Sequence, residues 1–188
     1  MKRIRFFLLP ILIVLLSPIK SYSLIEVDIT RGNLNPLPIA VSPLSIDQKS
    51  KKSFENLLKK KNIGEEISLI VENNLRTSGL FNPLNKDAFL QAPDIANLKP
   101  RFEDWNLIKA QALITGKVTN VNDKLRVEFR LWDVLAGKEM MALAFTTVPT
   151  NWRRVGHIIT DKVYERLTGE KGYFDTRIIY VAEEGPKT

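Results

Sequence analysis

Residues 112–148 alternate apolar and polar side chains with the two-residue period of β-strands. The pattern is clearest at 125–134, where one face carries Leu125, Val127, Phe129 and Leu131. The other face carries Arg126, Glu128 and Arg130, so one side is expected to be core and the other largely solvent. Short turns at Asn122-Asp123 and Gly137 separate the segments. The run therefore predicts an antiparallel meander of strands at 112–121, 125–134 and 140–148.

The Trp132-Asp133 pair at the end of the middle strand is also typical of a β-propeller blade. Propeller blades repeat every ~40–45 residues, and the pair recurs from blade to blade. This sequence has no second Trp-Asp pair, and helical patterns lie on both sides of the meander. The meander is therefore assigned to an α/β domain and not to a blade.

Two long helical patterns flank the meander. Upstream, Asn62 and Glu65 resemble a capping box, Gly79 is suited to end the helix, and the apolar stripe is Ile63, Ile67, Ile70, Val71 and Leu75. Downstream, Gly169 ends a helix whose stripe is Trp152, Val155, Ile159, Val163 and Leu167. A second helix is predicted at 101–111, with Pro100 in its first turn. The predicted fold class is α/β: a mixed sheet with an antiparallel three-strand meander packed by two to three helices.

The remaining segments have weaker patterns. Residues 39–44 predict a buried strand that Pro43 stops, and residues 81–84 predict a short extended piece. Residues 47–62 are rich in Lys and Ser and predict a solvated loop, with one helical turn around Phe54 and Leu57 at most. Residues 177–182 predict a last apolar strand, which needs a partner strand or forms an exposed edge.

The first 23 residues have the organisation of a secretory signal peptide. A basic start is followed by the apolar run 6–19 and by small residues at Ser21 and Ser23. The apolar run is shorter than the ~20 residues that span a bilayer, so we expect cleavage after Ser23 and export of the chain. An uncleaved N-terminal anchor is the alternative. The sequence has no Cys, which excludes a lipoprotein and a disulfide framework.

Export changes the charge balance of the chain. The formal net charge of +7 includes Lys2, Arg3, Arg5 and Lys20. Without these four residues, 24 of the 28 basic residues remain against 21 acidic ones, a net charge of +3. So mild a charge on an exported protein does not favour nucleic acid as a partner, and none is expected.

Residues that could carry catalysis are scarce. His157 is the only His and is expected to face solvent or a helix end rather than to act as a base. The paired carboxylates are sequence neighbours that point in different directions: Glu65-Glu66, Glu103-Asp104 and Glu183-Glu184. No Gly-rich phosphate loop or nucleophile elbow occurs. We expect no catalytic residue, metal site or cofactor. An exported hydrolase or carbohydrate-processing protein with an unrecognised site is the alternative.

Arg153 and Arg154 lie in the first turn of the last predicted helix. The helix dipole disfavours cations at that position, so they are expected to pair with acidic residues of a neighbouring element. A guanidinium pair that faces a partner is the alternative.

Three long blocks resemble the TolB family of periplasmic proteins of the Gram-negative Tol-Pal system. They are "IVENNLRTSGLF" at 70–81, "LRVEFRLWDVLAGKEM" at 125–140 and "NWRRVGHIITDKVYERLTGEKGYFDTRIIYVAE" at 151–183. The resemblance implies an N-terminal α/β domain, similar to the anticodon-binding domains of class II aminoacyl-tRNA synthetases, followed by a six-bladed β-propeller. It divides this chain into a signal peptide at 1–23, the α/β domain at 24–170 and the first strand of a truncated propeller at 171–188.

The resemblance also implies partners. Family members link inner-membrane TolA to the outer-membrane lipoprotein Pal, supporting outer-membrane integrity and constriction during cell division. Pal binds the propeller, which is absent here, and membrane association comes only through partners. The C-terminal domain of TolA binds the first residues of the mature protein, which here are Leu24, Ile25, Glu26, Val27, Asp28, Ile29, Thr30, Arg31 and Gly32. An alternating segment of this kind suits strand addition to a partner's sheet, and an edge strand of its own domain is the alternative.

Overall fold

The computed structural model describes residues 35–59 and 62–176. The predicted signal peptide, the predicted partner-binding segment and the predicted last strand at 177–182 lie outside these residues. The strands are β1 (Leu37–Val41), β2 (Ser45–Ile46), β3 (Phe81–Pro83), β4 (Ala112–Val121), β5 (Lys124–Asp133) and β6 (Lys138–Thr147). The α-helices are α1 (Gln48–Leu58), α2 (Ile63–Thr77), α3 (Pro93–Leu98), α4 (Phe102–Leu107) and α5 (Trp152–Thr168).

The strands form one mixed sheet in the order β3-β1-β4-β5-β6. β1 pairs in parallel with β3 and β4, and the short β2 pairs with β4 farther along that strand. β4, β5 and β6 form an antiparallel meander with one register shift, between Leu131 and Trp132. Parallel pairing requires crossover connections, and helices supply them in the first half of the chain. The predicted α/β class, with its mixed sheet and meander, is confirmed.

Helices cover both faces of the sheet. α2 and α5 pack on the face that carries the main core, where Ile39, Ile67 and Leu125 are fully buried. The short helices α3 and α4 cover part of the other face through a second cluster around Trp105 and Leu113. Trp132 packs against this second cluster. Within residues 35–59 and 62–176, no helix is long and apolar enough to span a membrane.

The meander follows the predicted alternation closely. The four apolar side chains assigned to the core face of β5 are at most 1% exposed. Asn122 and Asp123 adopt positive φ values of 51° and 59°, as a two-residue hairpin turn of this type requires. β6 begins at Lys138, two residues before the predicted start of that strand.

The two long helices are also confirmed. The Asn62 side chain accepts a hydrogen bond from the backbone N–H of Glu65, and Gly79 has a φ of 75° just after α2. Gly169 caps α5 with the same φ. The helix predicted at 101–111 is shorter than expected, because α4 ends at Leu107 and Lys109 takes a φ of 62°. The sequence patterns did not predict α3 at all.

The loop predicted at 47–62 is wrong, because residues 48–58 form helix α1. Asp47 caps this helix by accepting hydrogen bonds from the backbone N–H of Ser50 at 2.9 Å and from its hydroxyl at 2.6 Å. Phe54 is 1% exposed in the main core, whereas Leu57 is 59% exposed. Ser50, Phe54 and Leu58 recur at four-residue spacing on the inner side of this helix. The helical period was therefore present in the sequence, and a Lys- and Ser-rich composition does not by itself indicate a loop.

A buried serine holds the chain where β1 gives way to β2. Ser68 is 1% exposed, and its hydroxyl accepts the backbone N–H of Leu44 at 3.0 Å. The same hydroxyl lies 3.2 Å from the carbonyl oxygen of Ser42 and 3.0 Å from that of Gly64. The Ser68 hydroxyl therefore bonds to backbone groups of Ser42 and Leu44, which lie between β1 and β2 and outside both strands.

Replacing Ser68 by Ala is expected to lower the free energy of unfolding by about 1–3 kcal/mol, because the buried N–H of Leu44 loses its acceptor. Denaturant titration measures this change. Thr77→Ala is the matched control, since Thr77 is exposed and makes only a local bond to the carbonyl of Asn74. We expect that control to change stability by less than about 0.5 kcal/mol, and equal effects of the two substitutions would contradict the assigned role.

Candidate interaction surfaces

The predicted partner-binding segment, residues 24–32, precedes β1 in the chain. β1 lies inside the sheet, and Leu37 donates its backbone N–H to the carbonyl oxygen of Leu80 at 2.9 Å. Asn35 and Pro36 lie just ahead of it and are exposed. Any segment that precedes them is thus joined to the domain at a solvent-accessible point. The binding role of residues 24–32 stays a prediction, because these residues lie outside the described ranges.

Residues 170–176 fold back onto α5. Phe174 and Asp175 donate their backbone N–H groups to the carboxylate of Asp161 at 2.7 and 3.1 Å. The Tyr164 ring packs edge-on against that of Phe174, with ring centroids 5.7 Å apart. Burial raises the pKa of the Tyr164 hydroxyl. The chain after α5 is therefore held along the helix by a carboxylate and an aromatic contact.

Arg153 and Arg154 make different contacts. Arg154 donates to both carboxylate oxygens of Asp175, at 3.0–3.1 Å, and this hydrogen bond raises the pKa of Arg154. The Arg153 guanidinium lies 4.5 Å from the centre of the Trp152 ring. The predicted pairing with an acidic residue is confirmed for Arg154, whereas Arg153 makes a cation–π contact on its own helix.

His157 lies inside α5 and not at a helix end, and it is only partly exposed to solvent. It is half-buried between α2 and α5, with Nδ1 2.9 Å from Nδ2 of Asn74. The same Asn74 nitrogen donates to the hydroxyl of Thr160 at 3.1 Å. A Cβ at Gly156 would lie 2.8 Å from Ile70, which shows how closely the two helices approach. His157 therefore takes part in a polar contact that joins these helices.

The acidic residues noted in the sequence are spread over several elements. Glu65 accepts a hydrogen bond from Nδ2 of Asn62 in the first turn of α2, and Asp104 forms an ion pair with Arg101 at 2.7 Å. Glu183-Glu184 lies outside the described residues. Among residues 35–59 and 62–176, no group of three or more His, Asp or Glu side chains could hold a metal ion.

An open groove of about 530 Å³ lies between β2, β4, α3 and the start of α1. Asp47 lines it, but its carboxylate caps α1, and the hydrogen bond from the Ser50 hydroxyl holds its pKa below the ordinary value. Asn97, which is 6% exposed, lies 3.4 Å from a guanidinium nitrogen of Arg130. Two of the polar groups at this groove are thus already bonded within the domain. Sequence patterns could not indicate the groove, because distant segments form it.

β6 is an outer strand of the sheet with an apolar sequence. Its residues 140–147, "MMALAFTT", carry no charge, Pro or Gly, and no described strand pairs with their outer side. Edge strands usually carry Lys, Pro or a bulge that prevents association. Among the residues that the structure describes, such features lie at the beginning of β6, where the register shift occurs and Arg166 Nε lies 3.4 Å from the carbonyl oxygen of Met140. Strand spacing predicted this element, but its edge position depends on the order of strands in the sheet.

These features define an α/β domain with a mixed sheet. Its candidate interaction surfaces are the exposed start at Asn35 and Pro36, the groove beside β2 and β4, and the outer strand β6. Residues 25–140 match the model of the TolB amino-terminal domain, and the chain belongs to this family. It is 84% identical over 171 residues to the Tol-Pal system protein TolB of Pelagibacter ubique, an alignment that covers 91% of this chain. The chain spans 38% of the length of that curated relative.

A solved structure shows the same fold. The crystal structure of TolB from Acinetobacter baumannii matches this chain with a TM-score of 0.57 at 23% sequence identity. The match covers 74% of this chain and 30% of that protein. The resemblance inferred from the three sequence blocks is therefore confirmed at the level of family and fold.

Proposed function

We propose that this chain is a periplasmic, non-catalytic interaction component of a Tol-Pal envelope complex. The observation that carries the proposal is the match of residues 25–140 to the TolB amino-terminal domain, together with the 84% identity to a Tol-Pal system protein. Residues 1–23 direct export, and residues 24–32 bind the C-terminal domain of TolA. In the whole protein, this contact links TolA to Pal and supports outer-membrane integrity and constriction at division.

The sequence of the segment supports this role. Ile25, Val27 and Ile29 alternate with polar residues, so an extended segment presents one apolar side. Gly32 ends the alternation and permits a sharp change of direction before β1. Strand addition uses backbone hydrogen bonds for affinity and alternate side chains for selectivity, and this segment provides both.

Calorimetric titration of the exported form of the chain with the C-terminal domain of TolA tests the proposal. We expect saturable 1:1 binding. In the same samples, amide chemical shifts of β1 and the residues before it should change, while those of the distant α3 should not. Absence of binding by a folded chain would overturn the proposed role.

Pal is expected to bind this 188-residue chain weakly or not at all. The family resemblance assigns Pal binding to the propeller, and the chain spans only 38% of the Pelagibacter ubique relative. Titrating Pal into this chain and into the full-length relative under identical conditions checks the prediction. We expect affinity to fall by at least about 100-fold, which corresponds to roughly 2.7 kcal/mol. Equal affinities would show that the α/β domain itself holds the Pal site.

A further inference from the structure

We propose that the end of the domain around α1 docks on the surface of a phospholipid bilayer that contains anionic headgroups. The proposed function assigns membrane association to partners alone, so this contact goes beyond it and uses residues other than 24–32. We call the docking region the α1 end surface. It consists of lysines and exposed aliphatic side chains: Lys49, Lys51, Lys52, Lys59, Lys124, Leu57, Val121 and Val148.

The lysines of α1 form a stripe on the side of the helix that faces away from the core. Lys49 and Lys52 are exposed and lie three positions apart, whereas Ser50 and Phe54 are buried on the other side. Lys59 caps the C-terminal end of the helix and is also exposed. Because a helix rises about 1.5 Å per residue, the stripe is roughly 15 Å long. It can therefore contact several lipid headgroups at once.

The positive charge of this stripe is not neutralised within the described part of the chain. No ion pair there includes a lysine of α1 or Lys59, whereas Lys162, for example, pairs with a carboxylate at 2.8 Å. The carboxylate of Asp47 is bound in the cap of α1. Glu55 and, at the neighbouring hairpin, Asp123 then stand against the five lysines of the surface. The α1 end surface thus attracts anions.

Three large aliphatic side chains are exposed at the same end of the sheet. Leu57, Val121 and Val148 are 59%, 42% and 52% exposed. The side-chain amide of Asn120, next to Val121, donates to the Ser53 hydroxyl of α1 at 2.6 Å. α1 also packs against the turn that follows Val148. Exposed aliphatic groups beside a row of lysines are typical of surfaces that bind the interface of a membrane.

The residue types favour a lipid surface over a protein partner. Protein interfaces are enriched in Arg, Tyr and Trp and depleted of Lys, and their energetic centres rarely use Leu or Val. Here all the cations are Lys, and the exposed apolar residues are Leu and Val. A lysine ammonium is a point charge without a fixed bonding geometry, which suits mobile headgroups. Its aliphatic stem can also lie along the apolar boundary while the charge stays among the phosphates.

Flotation of the exported form of the chain with vesicles tests the proposal. Vesicles of phosphatidylcholine and phosphatidylglycerol in equal amounts are compared with vesicles of phosphatidylcholine alone. We expect binding to the anionic vesicles to be at least about 10-fold tighter. Added salt should weaken this binding, because it screens exposed charges.

Neutralising the stripe should remove most of the binding. The triple variant Lys49→Gln, Lys52→Gln, Lys59→Gln is expected to bind anionic vesicles at least about 10-fold more weakly. The domain should stay folded, because these side chains are exposed and make no ion pair in the described part of the chain. Arg at the same three positions keeps the charges and should keep the affinity within about 3-fold.

A matched control removes three charges from exposed lysines on other elements. The variant Lys99→Gln, Lys109→Gln, Lys171→Gln has the same net charge as the stripe variant and should bind like the unmodified chain. A further variant, Leu57→Ser with Val148→Ser, tests the aliphatic part. It should weaken binding by at least about 3-fold at every salt concentration, because salt does not screen the burial of apolar surface.

Four results would overturn the proposal. One is equal binding to the two kinds of vesicle, and another is equal weakening by the stripe variant and its control. The third is a stripe variant that binds vesicles normally but loses the C-terminal domain of TolA, which would identify a protein partner. The fourth is protection of Lys49 and Lys52 from an acylating reagent without lipid, which would show that other residues of the chain cover α1.

Discussion

Removal of residues 24–32 is expected to abolish binding of the C-terminal domain of TolA while the α/β domain remains folded. The segment precedes β1, and the described core does not include it. Its loss removes the backbone groups and alternate side chains that strand addition needs. We expect affinity to fall by at least about 100-fold, or roughly 2.7 kcal/mol, in calorimetric titration. Far-ultraviolet circular dichroism and the unfolding midpoint should not change.

Two triple variants separate the apolar and polar sides of that segment. The first replaces Ile25, Val27 and Ile29 by Ser, and the second replaces Glu26, Asp28 and Thr30 by Ser. Both keep the backbone and the segment length, so a difference between them reports on side chains alone. If the apolar side faces TolA, the first variant should lose most of the affinity and the second much less. Unchanged binding by the deletion variant would remove residues 24–32 as the site.

Gly116→Ala is expected to be the most destabilising of the single substitutions considered. Gly116 lies in the middle of β4, and a Cβ there would overlap the backbone carbonyl oxygen of Glu128 in the neighbouring strand. The same Cβ would lie 2.9 Å from Cδ2 of Leu44, whose side chain is 4% exposed. Neither the backbone nor this packed side chain can move without separating β4 from β5 or opening the core. We expect a loss of about 3 kcal/mol.

Thermal unfolding measures this effect, and the melting temperature should fall by roughly 6–12 °C. Gly79→Ala is the matched control. Gly79 has a φ of 75° and nothing within 4 Å of its Cβ position, so alanine there meets only the backbone preference. That preference costs about 1–2 kcal/mol. If Gly79→Ala proves as destabilising as Gly116→Ala, close approach of the strands is not the reason for glycine in β4.

Elements with strong local patterns were predictable from the sequence. β5 alternates over its whole length because one face is buried, and α2 and α5 carry apolar stripes that end at Gly79 and Gly169. The turn at Asn122-Asp123 is likewise local, since both residues tolerate positive φ. In each case the signal and its cause lie within one short segment.

Other elements were missed. α1 carries Phe54 and Leu58 at helical spacing toward the core behind an Asp47 cap, but its Lys- and Ser-rich composition obscured that period. α3 spans six residues, too few to show a helical period. His157 was expected to face solvent because its position relative to the α5 stripe said nothing about Asn74 on another helix.

Consecutive residues are enough to establish the fold class, the meander, the two long helices and the family, because periodic burial and long sequence blocks are local properties of the chain. Three further features emerge only from the folded domain: β6 is an outer strand of the described sheet, Ser68 supports the break between β1 and β2, and residues 170–176 lie against α5. Each of these depends on residues that are distant in the chain meeting in space. Strand order, buried hydrogen bonds and helix contacts arise from that packing, and no local period records them.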